Sequence, residues 1–220
     1  MKTIEQIIND QVKQWERIRS EEGRVETTNT VVTFSREPGS GGGIIAKELA
    51  DQLKLDFFHR EIIQKMAESA SISERLMETL DERAISLLDD WISTLVNERH
   101  LWPDQYLRHL LRVVGAIARH GGCVIVGRGS CFILPPKSNL RVRVVASLET
   151  RVQNVARDFN APYDEAKRRV LKTESDRRAF VRKYFHEDVS AAVNYDLVIN
   201  TELLSIEAAV EAIKGALGKR

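Results

Sequence analysis

An α/β fold with a parallel sheet covered on both faces is predicted by three observations. Short β-branched apolar runs alternate with helix-length amphipathic segments, the pattern of βαβ units. A glycine-rich turn joins the first such run to the first helix behind it, over Gly39-Ser40-Gly41-Gly42-Gly43. The chain has 220 residues, 43% hydrophobic and 30% charged, enough to bury one α/β core with a helical insertion.

Ile4, Ile7, Ile8, Val12 and Trp15 fall at helical spacing, so a helix covers about 4–20. Its apolar face serves either the domain or a second copy of the chain, which would make a homodimer through this helix. The polar run 20–30 reads as a linker. Thr30 to Ser35 is a buried strand. A helix runs from near Gly43 to about Leu53, and Leu55 to Phe58 is a short second strand. Helices then fill 60–121, with Pro103-Asp104 interrupting and Gly121-Gly122 stopping the last one. Cys123 to Val126 and Leu140 to Ala146 are the third and fourth strands. Helices are expected at 148–158 and 162–173, a charged stretch at 174–188, a fifth strand at Asp196 to Asn200 and a closing helix at 204–217.

The formal net charge is +1, from 33 basic and 32 acidic residues, so a generally basic nucleic-acid surface is not indicated and any basic site is local. Cys123 and Cys131 lie in no metal-like spacing and read as reduced thiols of a cytoplasmic protein. The histidines show no H-E-x-x-H pattern. No apolar window is long enough for a membrane span, and no signal peptide is read.

Glycines at Gly39, Gly41, Gly42 and Gly43, with Ser40 among them, let the backbone approach a ligand closely. The free N–H groups of the helix that follows favour an anion. This is a phosphate cradle. Aligned with G-x-x-x-x-G-K-[ST], Gly42 falls at the lysine position, and neither the ammonium nor the magnesium-binding hydroxyl is present. Lys47 lies one helical turn on and points away. Arg36, ending the first strand, is the better source of charge, because a guanidinium pairs well with phosphate oxygens. Two other readings stand beside this one. Gly41 to Ala46 fits G-x-G-x-x-A of a dinucleotide fold, but Asp56 falls too early to hold a ribose. The other is a tight turn with no ligand.

Arg128 follows the third strand between Gly127 and Gly129, at the sheet edge where open α/β folds bind ligands. Further on, Arg177, Arg178, Arg182 and Lys183 form a basic run. Beside a phosphate cradle it could stabilise a transferring phosphoryl group and exclude water. On its own it reads as a solvated charged helix.

The stretches Ser35-Arg36-x-x-Gly39-Ser40-Gly41-Gly42, Phe57-Phe58-His59-Arg60-Glu61-Ile62-Ile63, Ile125-Val126-Gly127-Arg128-Gly129, Asp176-Arg177-Arg178 and Asn194 to Thr201 occur in the order of one known family. Over about 30–217 the chain resembles the cytidylate-kinase-like nucleotide kinases, within the P-loop kinases. The resemblance implies a three-layer α/β/α core with a five-stranded parallel sheet. It divides the chain into an N-terminal helix and linker, 1–28, and a nucleotide kinase-like domain, 29–220. Within that domain it implies a helical acceptor-binding region at 59–121 and a lid at 174–188. The implied reaction moves the γ-phosphoryl of ATP, with Mg2+, to a nucleoside monophosphate, a pyrimidine such as CMP. Gly39 to Gly43 would hold donor phosphates, Arg60 and Arg128 the acceptor, and Arg36, Arg177 and Arg178 would act in transfer. Relatives often carry a basic residue where Gly43 stands and Asp where His59 stands. No Asp accompanies Gly127 to hold magnesium, so its ligands are unassigned. A nucleotide-binding regulator with little turnover is the alternative that the missing lysine leaves open.

Overall fold

The computed structural model describes residues 3–20 and 30–219; the linker expected between them lies outside the described residues. Five parallel strands form one sheet in the order β2-β3-β1-β4-β5. They are β1 (Val31–Arg36), β2 (Asp56–Phe58), β3 (Cys123–Val126), β4 (Leu140–Val145) and β5 (Leu197–Asn200). β1 lies centrally, with Thr33 paired to Ile125 on one side and to Arg141 on the other. Its carboxyl end therefore opens between the ends of β3 and β4. In an open α/β sheet, this reversal of strand order is where ligands bind.

Alternate residues of β1, β2 and β3 feed two cores, whereas β4 and β5 feed one. Val32, Phe34, Val124, Val126, Val142 and Val144 face α2 (Gly42–Leu53) and, from the C-terminus, a closing helix at Ile206–Leu217. Val31, Cys123 and Ile125 face the opposite layer. That layer contains α1 (Ile4–Ser20), α3 (Arg60–Glu68), α4 (Ala70–Glu78), α5 (Glu82–Glu98), α6 (Gln105–His120) and the short α7 (Ser130–Ile133). The three-layer α/β/α fold expected above is the observed one.

The N-terminal helix spends its apolar face within the chain. Ile8, Val12 and Trp15 are buried in the same core as α3 and α6. Trp15 stacks on the His120 ring at 4.2 Å between centroids, and Gln11 donates to Asp56 at 2.8 Å. Much of the face expected to serve a homodimer is thus used within the chain, while Ile7 stays 36% exposed, and no second copy is shown.

Two helices follow β4: α8 (Leu148–Phe159) and α9 (Tyr163–Phe185). Here the boundaries differ from expectation. The helix expected to end near 173 continues unbroken, so residues 174–185 of the expected lid are the second half of α9. Neither Gly nor Pro interrupts Tyr163 to Phe185. The buried stripe runs through Ala166 and Val170, continues at Val181 and Phe185, and carries charge between them. Val170 and Val181 are eleven residues apart, about three helical turns. The stripe between them holds Glu174 and Arg177 because there it passes the cleft rather than the core. Its apolar parts belong to different cores: Val152, Val155, Ala166 and Val170 form a small cluster within the α8–α9 hairpin, whereas Val181 and Phe185 enter the main core. The remaining helix, α10, is the closing helix Ile206–Leu217.

Candidate active site

Beyond Arg36 the chain leaves β1 and turns into α2 through the glycine loop. Gly39 and Gly41 have φ of 78° and 74°. A Cβ on Gly39 would lie 2.3 Å from the Arg151 carbonyl oxygen, and one on Gly42 would lie 2.8 Å from Arg36 Cβ and 2.9 Å from Val144 Cβ. Side chains are thus excluded at Gly39 by the Arg151 main chain and at Gly42 by the Cβ atoms of Arg36 and Val144. Gly43 differs: nothing lies within 4 Å of a Cβ placed there.

The loop is held from several sides. Ser40 donates its N–H to Glu37 O at 3.3 Å and its hydroxyl to the same oxygen at 2.9 Å. Asn154 Nδ2 donates to Gly39 O and Thr201 Oγ1 to Ser40 O, each at 2.9 Å. Gly41 caps α2 with no side-chain hydrogen bond and no acidic residue follows in the first turn. Gly42 and Gly43 open the helix, so their N–H groups have no carbonyl of the preceding turn to bond. An anion is the natural partner of such an end.

Guanidinium groups crowd beside this loop. Arg36, Arg60, Arg128 and Arg177 line one cleft at the carboxyl ends of β1 and β3, and Arg143 and Arg178 line it too. Arg36 reaches beneath Gly127: its Nη1 lies 2.9 Å from where a Gly127 Cβ would stand. Arg177 Nη1 donates to the Arg36 carbonyl oxygen at 2.7 Å. Burial, then the charge of Arg60, pushes the Arg36 guanidinium down to about 10. Burial, then the charges of Arg36 and Arg60, pushes Arg177 down to about 9. Both shifts say that cations are crowded in a place short of solvent, with the Glu61 carboxylate offsetting only part of the effect.

Arg128 sits at φ 51° between Gly127 and Gly129, a left-handed conformation that costs a non-glycine residue about 1 kcal/mol. Its Nη2 donates to Gln64 Oε1 and its guanidinium lies 5.2 Å from the Phe180 ring centroid. The Nε atoms of Arg128 and Arg177 are buried without a hydrogen-bond partner among the described residues. Buried donors of this kind normally have partners, so two in one cleft mark a place for an acceptor.

Arg60 opens α3 and pairs with Glu61 at 2.9 Å. Burial raises the Glu61 carboxyl, but its own backbone N–H, His59 and Arg60 outweigh that and hold it at about 2. Arg178 is placed differently from Arg177. It is half exposed and pairs with Glu174 at 2.6 Å. One residue along a helix is a turn of about 100°, so the two arginines cannot face the cleft equally. Lys47, as expected, points away and pairs with Asp51.

Sequence reading missed the carboxylates and arginines that frame the cluster. Glu37, next to Arg36, has its carboxylate between Arg143 at 3.5 Å and Arg151 at 3.4 Å. Arg143 is 5% exposed and donates to Ser35 Oγ at 2.8 Å. A charged residue inside an apolar strand was the available signal for Arg143. Glu37 and Arg151 carried none, since their meeting depends on tertiary structure.

Phosphates fit this cleft: it offers unbonded helix N–H groups and crowded guanidiniums. A protein cage for magnesium does not fit. Glu37 and Glu174 are committed to arginines and Glu61 to His59 and Arg60; Asp176 also lines the cleft, but no group of three metal-type ligands occurs among the described residues.

Residues 31–203 match the profile of the Cytidylate kinase-like family. The chain belongs to the cytidylate kinase-like family. The cytidylate kinase of Ignicoccus hospitalis is 33% identical over 188 residues, covering 86% of this chain and 99% of that protein. The cytidylate kinase of Aeropyrum pernix is 27% identical over 175 residues, covering 79% and 91%. A crystal structure of an uncharacterized protein from Eubacterium ventriosum shares the fold, with a TM-score of 0.61 at 19% identity, covering 87% of this chain and 99% of that one. Family membership supports nucleotide kinase chemistry and so ATP as the phosphoryl donor. Among the described residues no helix of this cytidylate kinase-like protein is long and apolar enough to cross a membrane.

Proposed function

We propose that this protein transfers the γ-phosphoryl group of ATP to a pyrimidine nucleoside monophosphate, CMP first among them. The observation that carries the reading is the meeting of Arg36, Arg60, Arg128 and Arg177 beside an uncapped glycine loop. The names of the Ignicoccus and Aeropyrum relatives support the choice of CMP.

Donor phosphates rest on the N–H groups of the Gly39 to Gly43 loop, and the acceptor phosphate on Arg60 and Arg128. A phosphate monoester has its second pKa near 6, so at neutral pH the attacking oxygen already carries charge and needs no general base. That oxygen attacks the γ-phosphorus, the bond to the β–γ bridging oxygen breaks, and ADP leaves. Catalysis of such a transfer is positioning and charge stabilisation. Arg36 and Arg177 do that work here: both are desolvated, so their charge acts through little water. Arg36 thereby supplies from the strand the charge that the loop lacks at Gly42. Arg178, on the same helix as Glu174, steadies the carboxylate that Arg151 also holds.

The test is purified protein with ATP, magnesium salt and each nucleoside monophosphate, following ADP and diphosphate product. Transfer to CMP exceeding transfer to AMP and GMP is expected. ATP binding with no transfer to any nucleoside monophosphate would make the protein a nucleotide-binding regulator instead.

A further inference from the structure

The α8–α9 hairpin has a small core of its own, and one side chain ties it to the phosphate loop. Arg151 lies in the first turn of α8 and is 6% exposed. Its Nε donates to Ala146 O at 3.1 Å and lies 3.4 Å from Glu37 Oε2. Its Nη1 donates to Glu174 Oε2 on α9 at 2.9 Å. Glu37 Oε2 also accepts the Ala146 N–H at 3.2 Å, and Glu174 Oε1 accepts from Arg178 at 2.6 Å. The result is an alternating chain, Arg143–Glu37–Arg151–Glu174–Arg178, whose middle members are nearly buried. Its two carboxylates sit on the two elements that border the cleft. Glu37 leads into the loop, and Glu174 lies one helical turn before Arg177. The Arg151 main chain grips the loop too, since its carbonyl fills the space that Gly39 leaves.

We infer that Arg151 is a positioning residue that couples the phosphate loop to Arg177, so that occupancy of the loop orders the cleft-facing part of α9. A guanidinium is a rigid planar fork and can hold two carboxylates at once; an ammonium on a flexible stem cannot do so in the same geometry. Without Arg151, Glu37 and Glu174 face one another across a poorly solvated gap, and the hairpin separates from the loop. The anchor of α9 in the main core, at Val181 and Phe185, is untouched by this change. Coupling between two sites is reciprocal, so a loop ligand must also steady α9. The catalytic consequence rests on the phosphotransfer reading; the coupling does not.

Hydrogen exchange of the full chain, with and without pyrophosphate, tests it. In Arg151→Met the amides of 171–178 should exchange about tenfold faster than in wild type, within the range coupled sites show, while α6 is unchanged. Pyrophosphate should slow these amides in wild type and not in the variant. Arg151→Lys should behave like Arg151→Met, and kcat should fall about tenfold in both while the acceptor KM moves less than about threefold. Glu174→Gln, a milder change, gives the same test if Arg151→Met does not fold. Wild-type exchange rates at 171–178 in the variants, or full rescue by Arg151→Lys, would overturn the inference. A wild-type protein without transfer activity would defeat the kinase reading, and the exchange rates would still decide the coupling.

Discussion

Replacing Arg36 by methionine should make the ligand-free protein more stable and its phosphate binding weaker. Crowding and burial hold Arg36 down at about 10. A base lowered in this way binds its proton less well in the folded state than in the unfolded one. Its charge therefore costs stability at every pH below about 10, undiminished at neutrality. At 1.36 kcal/mol for each factor of ten, the cost is about 3 kcal/mol. Methionine keeps most of the stem and removes the charge, so about 1–3 kcal/mol should return. In a chain of this length that raises the melting midpoint by roughly 3–10 °C. Loss of a charge-assisted phosphate contact costs about 1.5–3 kcal/mol, or roughly ten- to a hundredfold in affinity. Thermal unfolding with and without pyrophosphate or ATP reads both effects in one experiment. The opposite signs are the diagnostic feature, because a purely structural arginine would lose stability when removed. A less stable variant with unchanged ligand affinity would refute the assignment of Arg36 to the phosphates.

Gly42→Lys places a Cβ within 3 Å of both Arg36 and Val144 and should be poorly folded, whereas Gly43→Lys enters open space and should fold normally with tighter pyrophosphate binding, read by thermal unfolding and calorimetry. Arg177→Ala should lower single-turnover transfer by about a hundredfold or more, as loss of a transition-state contact does, while Arg178→Ala should cost about tenfold or less. Rapid quench with labelled ATP separates them, and equal losses would show that both arginines face the phosphates. Glu61 is held at about 2, below an unfolded carboxylate. A lowered acid contributes stability above its unfolded value, so that contribution should fade as pH falls from about 4 towards 2. Glu61→Gln should flatten urea midpoints across this window, and an unaltered slope would show that Glu61 does not carry the effect.

Local chemistry made the loop and strands readable. The order strand, glycines, helix marks a candidate anion site, because the N–H groups and φ values are properties of a dozen successive residues. Gly127-Arg128-Gly129 was readable for the same reason: two glycines around one arginine after an apolar run mark a strand end. The continuity of α9 was not readable. Its middle turns present Glu174 and Arg177 on the inward face, and a periodicity of apolar residues has no way to record a charged face that lines a cleft. Gly42 and Gly43 look alike in the chain, yet one is wedged between Arg36 and Val144 and the other faces open space.

The sequence by itself determined the fold class, the glycine loop and the list of arginines, since each follows from neighbours along the chain. Only the tertiary structure decided that Arg36 passes beneath Gly127, that Arg177 is held on the Arg36 carbonyl while Arg178 stays half exposed on Glu174, and that Arg151 holds Glu37 and Glu174 together. Glu37 and Glu174 are far apart in the sequence. Whether a buried guanidinium meets a carboxylate or another guanidinium depends on which strand ends lie side by side. That order, β2-β3-β1-β4-β5, is set by the packing of helices on both sheet faces and by no single segment of the chain.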